Sequence, residues 1–296
     1  MTRLSIPREA TLNERSFDER SLRDAASLRA WRRSVRGKVA FVPTMGYLHE
    51  GHLALIRAAR ARADHVIVSV FVNPTQFNDP ADFERYPRDE MGDLQAALDA
   101  GADVVFMPTP EVIYPRGSET RVMVGSLADW LCGATRPGHF EGVCTVVMAL
   151  FQLTQCDLAI FGEKDYQQLA IIRQMTRDLH LPVQIIGYPT VREPDGVAMS
   201  SRNARLTRSD RQLAPSIYRG LLAAREAWRH GERRAEALCE VARSHLPESG
   251  RLDYLSVCDP ITLTPLTGDL YDHESALMAV ACHLGAVRLI DNMTLE

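Results

Sequence analysis

The sequence predicts a doubly wound α/β fold with a parallel sheet, followed by a smaller α+β unit. Three observations carry that expectation. Short apolar runs rich in β-branched residues, His65–Val72 above all, read as strands buried on both faces. Segments with helical spacing of apolar residues lie between them, so strands and helices alternate. After about Arg192 the alternation stops, and helices are followed by short strands.

In chain order, residues 1–20 are polar, mixed in charge and interrupted by Pro7, which predicts a loose extension and not a secretion signal. Leu22–Val35 has helical spacing, with Arg29, Arg32, Arg33 and Arg36 on a solvated face. Lys38–Val42 reads as a strand that breaks at Pro43, turns at Gly46 and enters the apolar-periodic segment Leu53–Ala63. The strand His65–Val72 ends in Asn73-Pro74-Thr75-Gln76-Phe77. Arg88–Ala100 reads as a helix, Asp103–Met107 as a strand, and Ile113–Phe140 as a loop-rich stretch. Helix Gly142–Gln155, strand Asp157–Phe161, helix Asp165–Leu179 and strand Val183–Tyr188 continue the alternation. Beyond a junction near Glu193-Pro194-Asp195-Gly196, Ser209–Trp228 and Arg234–Ser244 read as helices. Leu252–Cys258, Ala276–His283 and Val287–Asp291 read as antiparallel strands. The organisation expected is an extension (1–20), a main domain (21–192) and a smaller α+β lid domain (193–296).

A chain of 296 residues is large for one core and comfortable for two. Its formal net charge of −4 leaves no basic footprint for nucleic acid and argues against a membrane-surface partner. No apolar stretch approaches the length of a membrane span. The six cysteines contain no C-x-x-C pair and read as small buried hydrophobes, which fits a reducing cytoplasm.

Three segments carry chemistry. A helix starting near His49 would put His49 and His52 on one face of its first turn, beside unpaired backbone N–H groups and the positive dipole end. That suits a phosphate, to which histidine adds a hydrogen bond or a proton. The same spacing also fits a metal half-site or polar residues that merely begin a helix. In Phe161-Gly162-Glu163-Lys164-Asp165-Tyr166-Gln167-Gln168, Gly162 permits close backbone approach and Lys164 supplies a point charge for phosphate. Asp165 could accept from ribose hydroxyls and also form a capping box with Gln168, whereas for Gln168 capping and ligand binding compete. Met199-Ser200-Ser201-Arg202-Asn203 offers hydroxyls and an arginine in a loop, a clamp for phosphate charge. Gln76 and Gln168 are neutral partners for a hydroxy acid whose carboxylate loses its charge on activation. In doubly wound sheets ligands sit beyond the strand C-termini near the topological switch point, so these strand exits should cluster.

Taken together the chain resembles the pantoate–β-alanine ligase (pantothenate synthetase) family, within the wider Rossmann-like group of nucleotidyl-transferring enzymes with an H-x-G-H signature. The resemblance runs from about Lys38 to the C-terminus through Pro43-Thr44-Met45-Gly46, His49-Glu50-Gly51-His52, Phe71-Val72-Asn73-Pro74-Thr75-Gln76-Phe77 and Tyr86-Pro87-Arg88. It continues through Arg136-Pro137-Gly138-His139-Phe140, Phe161–Asp165, Gln167-Gln168-Leu169, Ser200–Asn203 and Arg288-Leu289-Ile290-Asp291-Asn292. It implies that pantoate attacks the α-phosphate of ATP, with Mg²⁺ on the phosphates, and that β-alanine then captures the pantoyl adenylate. It implies His52 as proton donor, with His49 and Lys164 beside it. The ATP site it implies comprises Met45, Gly46, Tyr47, Leu48, His49, Glu50, Gly51, His52, Gly162, Glu163, Lys164, Asp165, Val191, Met199, Ser200, Ser201 and Arg202. Gln76 and Gln168 would bind pantoate, with β-alanine entering near Gln76, no protein-held metal site assigned and a homodimer expected.

Asp89, Glu90 and Asp93 could each organise Mg²⁺ through water, and Thr75 stands where many relatives carry an apolar residue. His139 reads more readily as structural than catalytic, and Arg136 as a surface contact or a pantoate contact. Two other functions compete. A nucleotidylyltransferase would share the H-x-G-H start but leave the Asn73–Phe77 strand end without a use. A nucleotide-binding protein without turnover would bind ATP yet release no pyrophosphate when pantoate is added.

Overall fold

A computed structural model describes residues 19–296; most of the expected extension lies outside the described residues. Six strands form one parallel sheet: β1 (Ser21–Leu22), β2 (Val39–Thr44), β3 (His65–Val70), β4 (Val104–Phe106), β5 (Leu158–Gly162) and β6 (Gln184–Tyr188). Their order is β1-β4-β3-β2-β5-β6. The chain steps outward from β2 to β4, then crosses back to lay β5 on the other side of β2, so the switch point lies between β2 and β5.

Burial explains why these runs are strands. Val39, Ala40, Phe41 and Val42 are all fully buried, because helices cover both faces. Phe41, Ile67 and Phe106 face one core with helix α5 (His139–Thr154) and helix α6 (Tyr166–Asp178); α1 (Ala25–Ser34) packs there too, through Leu28. Ala40, Val42, Val68 and Ile160 face the other, with α2 (Glu50–Arg60) and α4 (Glu90–Asp99). The small helix α3 (Pro80–Glu84) stands between β3 and α4 in the chain. Each fully buried large apolar side chain contributes roughly 1.5–3 kcal/mol.

The second unit packs α8 (Pro215–Arg229) and α9 (Ala235–Arg243), preceded by α7 (Arg208–Leu213), on an antiparallel sheet. That sheet has the order β7 (Arg251–Cys258), β8 (Ala276–Leu284), β9 (Val287–Leu295). A bidentate pair ties the linker to it: Arg192 donates to both carboxylate oxygens of Asp291 at 2.6 and 2.9 Å.

Several expectations are corrected. Leu22 belongs to an edge strand paired with β4, and the helix starts only at Ala25, where the Asp24 carboxylate caps Ala26 and Ser27 at 2.8 and 2.9 Å. Helix α4 starts at Glu90 because Asp89 caps Gly92. The predicted helix Ser209–Trp228 is two helices, since Pro215 has no N–H to continue the first. The last strand runs to Leu295, beyond Asp291, because β8 pairs with it along its whole length. The loop-rich stretch contains a one-turn helix at Cys132–Thr135, and another, Pro110–Ile113, leads into it. All six cysteines are free, and five are buried.

Candidate active site

The exit of β2 is shaped by its turn. Thr44 Oγ1 donates to the Ser69 carbonyl at 2.7 Å and accepts from the Gly46 amide at 3.2 Å. Gly46 and Tyr47 both have positive φ (85° and 51°), and a Cβ on Gly46 would lie 2.8 Å from an Asp93 carboxylate oxygen. That carboxylate, reaching from α4, accepts the amides of Tyr47 and Leu48 at 2.8 and 2.6 Å. Burial, with Asp89 and Glu90 nearby, nevertheless raises the Asp93 pKa above its ordinary value, since it outweighs the two amides.

The turn delivers His49 as the N-cap of α2. His49 Nδ1 accepts from the Gly51 amide at 3.2 Å, and His52 Nδ1 accepts from the His49 amide at 3.3 Å. Both Nδ1 atoms are therefore acceptors, which leaves the ring proton of each neutral histidine on Nε2. The rings lie 4.0 Å apart. Burial and the Lys164 charge lower the pKa of His49 to about 4. Burial, His49 and Lys164 lower that of His52 to about 3. At neutral pH the pair offers two N–H donors and no positive charge.

Lys164 comes from the turn that follows the neighbouring strand, β5. Its turn is pinned from the second unit: Asn292 Nδ2 donates to the carbonyls of Glu163 and Lys164, both at 2.9 Å. Lys164 Nζ stands 3.9 Å from Asp165, and its side chain is only 19% exposed. The capping box considered for Asp165 and Gln168 is not made; Asp165 begins α6 with no side-chain cap, so its carboxylate stays available. The adjacent glutamines divide the work. Buried Gln167 accepts from the Cys132 amide and donates to Leu127 and Trp130, fixing the loop, while Gln168 lines the cavity.

From the exit of β3, Gln76 is buried with its Oε1 accepting from Asn73 Nδ2 at 3.0 Å and its Nε2 3.1 Å from Met45 Sδ. Helix α5 crosses this turn so closely that a Cβ on Gly142 would lie 2.6 Å from the Thr75 carbonyl oxygen. The Gln76 carbonyl accepts from His139 Nδ1 at 2.8 Å and from Arg136 at 3.1 Å. Burial and the Arg136 charge lower the His139 pKa to about 3.

The opposite wall comes from the segment after β6. Ser201 Oγ lies 3.3 Å from the Tyr86 hydroxyl, and Asp82 binds Arg202 at 3.3 Å and Arg205 at 2.8 Å. Burial opposes ionisation of Asp82, but Arg205 and Arg202 hold its pKa below the ordinary value.

These walls enclose one cavity of about 770 Å³. Of the expected residues, Met45, His49, Gly51, His52, Gln76, Gly162, Lys164, Asp165, Gln168, Val191, Met199, Ser200, Ser201 and Arg202 line it. Gly46, Tyr47, Leu48, Glu50 and Glu163 do not. The first three form the turn held by Asp93, Glu50 pairs outward with Arg57, and Glu163 lies against Gly187. Thr75 also stays off the wall, bonded to Asn73 and Tyr114. Arg136 and His139 also line the cavity, as do Tyr86, to which the sequence assigned no role there, and Asp82 and Arg205, which sequence reasoning missed.

No group of three or more His, Cys, Asp or Glu suited to a metal occurs among the described residues. The three carboxylates considered for Mg²⁺ are engaged elsewhere: Asp89 caps α4, Glu90 pairs with Arg23 at 2.8 Å, and Asp93 holds the turn. Asp165, on the wall beside Lys164 and engaged in no cap, is a carboxylate that could support a Mg²⁺ carried mainly by phosphate and water.

A family profile described as Pantoate-beta-alanine ligase matches residues 20–294. The pantothenate synthetase of Oleidesulfovibrio alaskensis is 53% identical over 87% of this chain and 92% of its own length. That of Myxococcus xanthus is 50% identical over 93% and 95%. The crystal structure of pantothenate synthetase from Thermus thermophilus superposes with a TM-score of 0.87 at 47% identity, covering 93% of this chain and 98% of that one. A Francisella tularensis pantoate-beta-alanine ligase, complexed with beta-gamma ATP and beta-alanine, gives 0.76 at 36% identity, covering 92% and 96%.

Proposed function

The chain belongs to the pantoate–β-alanine ligase family, and we propose on that footing that the cavity between β2, β5 and the Met199–Arg202 segment is where its two-step reaction runs. The enzyme condenses pantoate with β-alanine, driven by ATP. A pantoate carboxylate oxygen bonds to the α-phosphorus as the bond to the β-phosphate breaks, giving pantoyl adenylate and pyrophosphate. The β-alanine amine then bonds to the acyl carbon, AMP leaves with the electron pair, and the amine sheds its proton to give the amide.

The observation that carries the residue assignment is the meeting of His49, His52 and Lys164 at the switch point, facing Gln76, Gln168 and Arg202 across one cavity. Charge gathers on the α-phosphate during the first step. The two Nε2–H donors and the Lys164 ammonium would stabilise it, and Ser200, Ser201 and Arg202 would cover the phosphates. Because His52 is neutral at pH 7, its first role is to donate a hydrogen bond, and a triphosphate beside it would raise its affinity for a proton. Gly162, Asp165, Val191 and Met199 would hold the nucleoside, and Gln76 and Gln168 the pantoate. No cysteine or serine nucleophile is needed, since positioning and electrostatics suffice for both displacements. Mg²⁺, when bound, neutralises phosphate charge; Asp165 would support it.

Residues 21–192 would act as the substrate-binding domain and 193–296 as the lid, working as a homodimer in the cytoplasm, without nucleic-acid or membrane partners. No helix among the described residues is long and apolar enough to cross a membrane, and the net charge of −4 agrees with small anionic ligands being held by a few local cations. A coupled assay for AMP with ATP, Mg²⁺, pantoate and β-alanine, omitting each in turn, tests the reading. Pyrophosphate–ATP exchange should need pantoate but not β-alanine; exchange without pantoate, or none with it, rejects the two-step scheme.

A further inference from the structure

The half-buried arginines on the cavity wall have carboxylate partners, with one exception. Arg202 and Arg205 share Asp82, and Arg288 donates to Asp253 at 2.7 Å. Arg136 has no carboxylate partner among the described residues. Its NH2 donates to the Gln76 carbonyl at 3.1 Å and its NH1 lies 3.1 Å from His139 Nε2. His139 Nδ1 must donate to that same carbonyl at 2.8 Å, so its Nε2 is a lone pair receiving Arg136. The imidazole is 8% exposed and neutral, so it orients the guanidinium without repelling it. Two of the five N–H donors are used in this cradle, and the remainder of the fork borders the cavity uncompensated. A partly buried charge in that state is costly unless a ligand pairs it.

We propose that Arg136, oriented by His139 and the Gln76 carbonyl, receives the carboxylate of β-alanine and makes the enzyme select a β-amino acid over a plain amine. The inference rests on the ligase reading and extends it to the second substrate. Chemistry decides between the two carboxylates available. The pantoate carboxylate is the nucleophile of the first step and becomes a neutral acyl group; a guanidinium bound to it would hold back its lone pair and lose its partner once the adenylate formed. The carboxylate of β-alanine keeps its charge from entry to product release. Arg136 is anchored to the main chain of Gln76, whose side chain is assigned to pantoate. Two methylenes separate the ends of β-alanine, so with its carboxylate on the fork the amine reaches roughly 5 Å back toward the acyl carbon.

The test compares β-alanine with 3-aminopropan-1-ol, which keeps the amine and chain length but lacks the charge. Full-length enzyme is assayed for amide formation with each amine and, separately, for pantoate-dependent pyrophosphate–ATP exchange. Wild type should prefer β-alanine in kcat/KM on the order of 100-fold, the usual worth of a partly buried charge-assisted pair. Arg136→Met should keep exchange within about threefold while its KM for β-alanine rises on the order of 100-fold and the preference collapses. Arg136→Lys, with charge but no fork, should fall between. A folded Arg136→Met that retains the preference, or that loses exchange as severely as amide formation, overturns the proposal. Equal use of both amines by wild type does so without any variant. Absence of exchange in the wild type would instead reject the ligase scheme itself.

Discussion

Three histidines held neutral, His139 buried and His49 and His52 half-buried on the cavity wall, should make the ligand-free enzyme sensitive to mild acid, and the sign follows from their shifts. His52 and His139 have folded pKa values of about 3 against an ordinary 6.5. Below pH 6.5 the unfolded chain takes up a proton at each site while the folded chain does not, so stability is full above 6.5 and falls as pH drops toward 3. At pH 5.0, 1.5 units below the ordinary value, each site costs about 2 kcal/mol, from 1.36 kcal/mol per unit. That figure depends only on the folded values lying below 5. The two together cost ~4 kcal/mol, a large part of a typical folding free energy. His49 acts in the same direction, but its ring lies against His52 and its share is not independent. Urea unfolding at pH 7.5 and 5.0, for wild type, His139→Gln and His52→Asn, measures the effect. Each variant should lose about 2 kcal/mol less than wild type between the two pH values. Variants that retain the whole loss, or a wild-type loss under ~1 kcal/mol, would refute the burial of neutral imidazoles.

Other perturbations separate chemistry from folding. Lys164→Ala should cut pantoate-dependent pyrophosphate–ATP exchange roughly 10²–10³-fold, with unfolding midpoints close to wild type; unchanged exchange would remove Lys164 from the first step. Asp82→Asn frees Arg202 and Arg205, so a non-hydrolysable ATP analogue should bind roughly 3–10-fold tighter at low salt by calorimetry, and weaker binding would contradict the competition. Gly142→Ala pushes a methyl into the Thr75 carbonyl and should destabilise by roughly 1–3 kcal/mol while raising the KM for pantoate, because Gln76 shares that turn. A Gly142→Ala variant with normal stability and KM would mean the contact yields freely.

The parallel sheet was legible because burial on both faces forces near-continuous apolar runs: Val39–Val42 and His65–Val70 announce themselves in one dimension. The two-residue β1 left no such trace, since its single buried side chain, Leu22, is equally at home in a helix. The histidine and lysine segments were readable because a turn, a glycine and a charged side chain stand together in sequence. Asp93 was read as a possible metal carboxylate because an acidic residue in the first turn of a helix has no one-dimensional sign of what it holds; only the chain folding back brings Tyr47 and Leu48 to it. Nothing near Arg136 or His139 in sequence shows what holds them; the Gln76 carbonyl that gathers both lies 60 and 63 residues away.

The charges of the cavity follow one rule, and it bears on how a site for several anions remains stable without them. Concentrated cations would repel one another, so the fold keeps each near a carboxylate: Lys164 beside Asp165, Arg202 and Arg205 on Asp82, Arg288 on Asp253. The histidines contribute N–H donors while remaining uncharged. Incoming phosphate then exchanges one anionic partner for another instead of meeting a bare charge, and the net gain is the difference between the two pairings. Asp82 lies on the small helix α3, opposite the Ser201 segment, so exchange at Arg202 loosens one wall as the nucleotide joins the other. Arg136 departs from the rule, held by a carbonyl and a neutral imidazole that cannot neutralise it. A carboxylate that stays ionised throughout the reaction is the ligand such an arginine is built to meet.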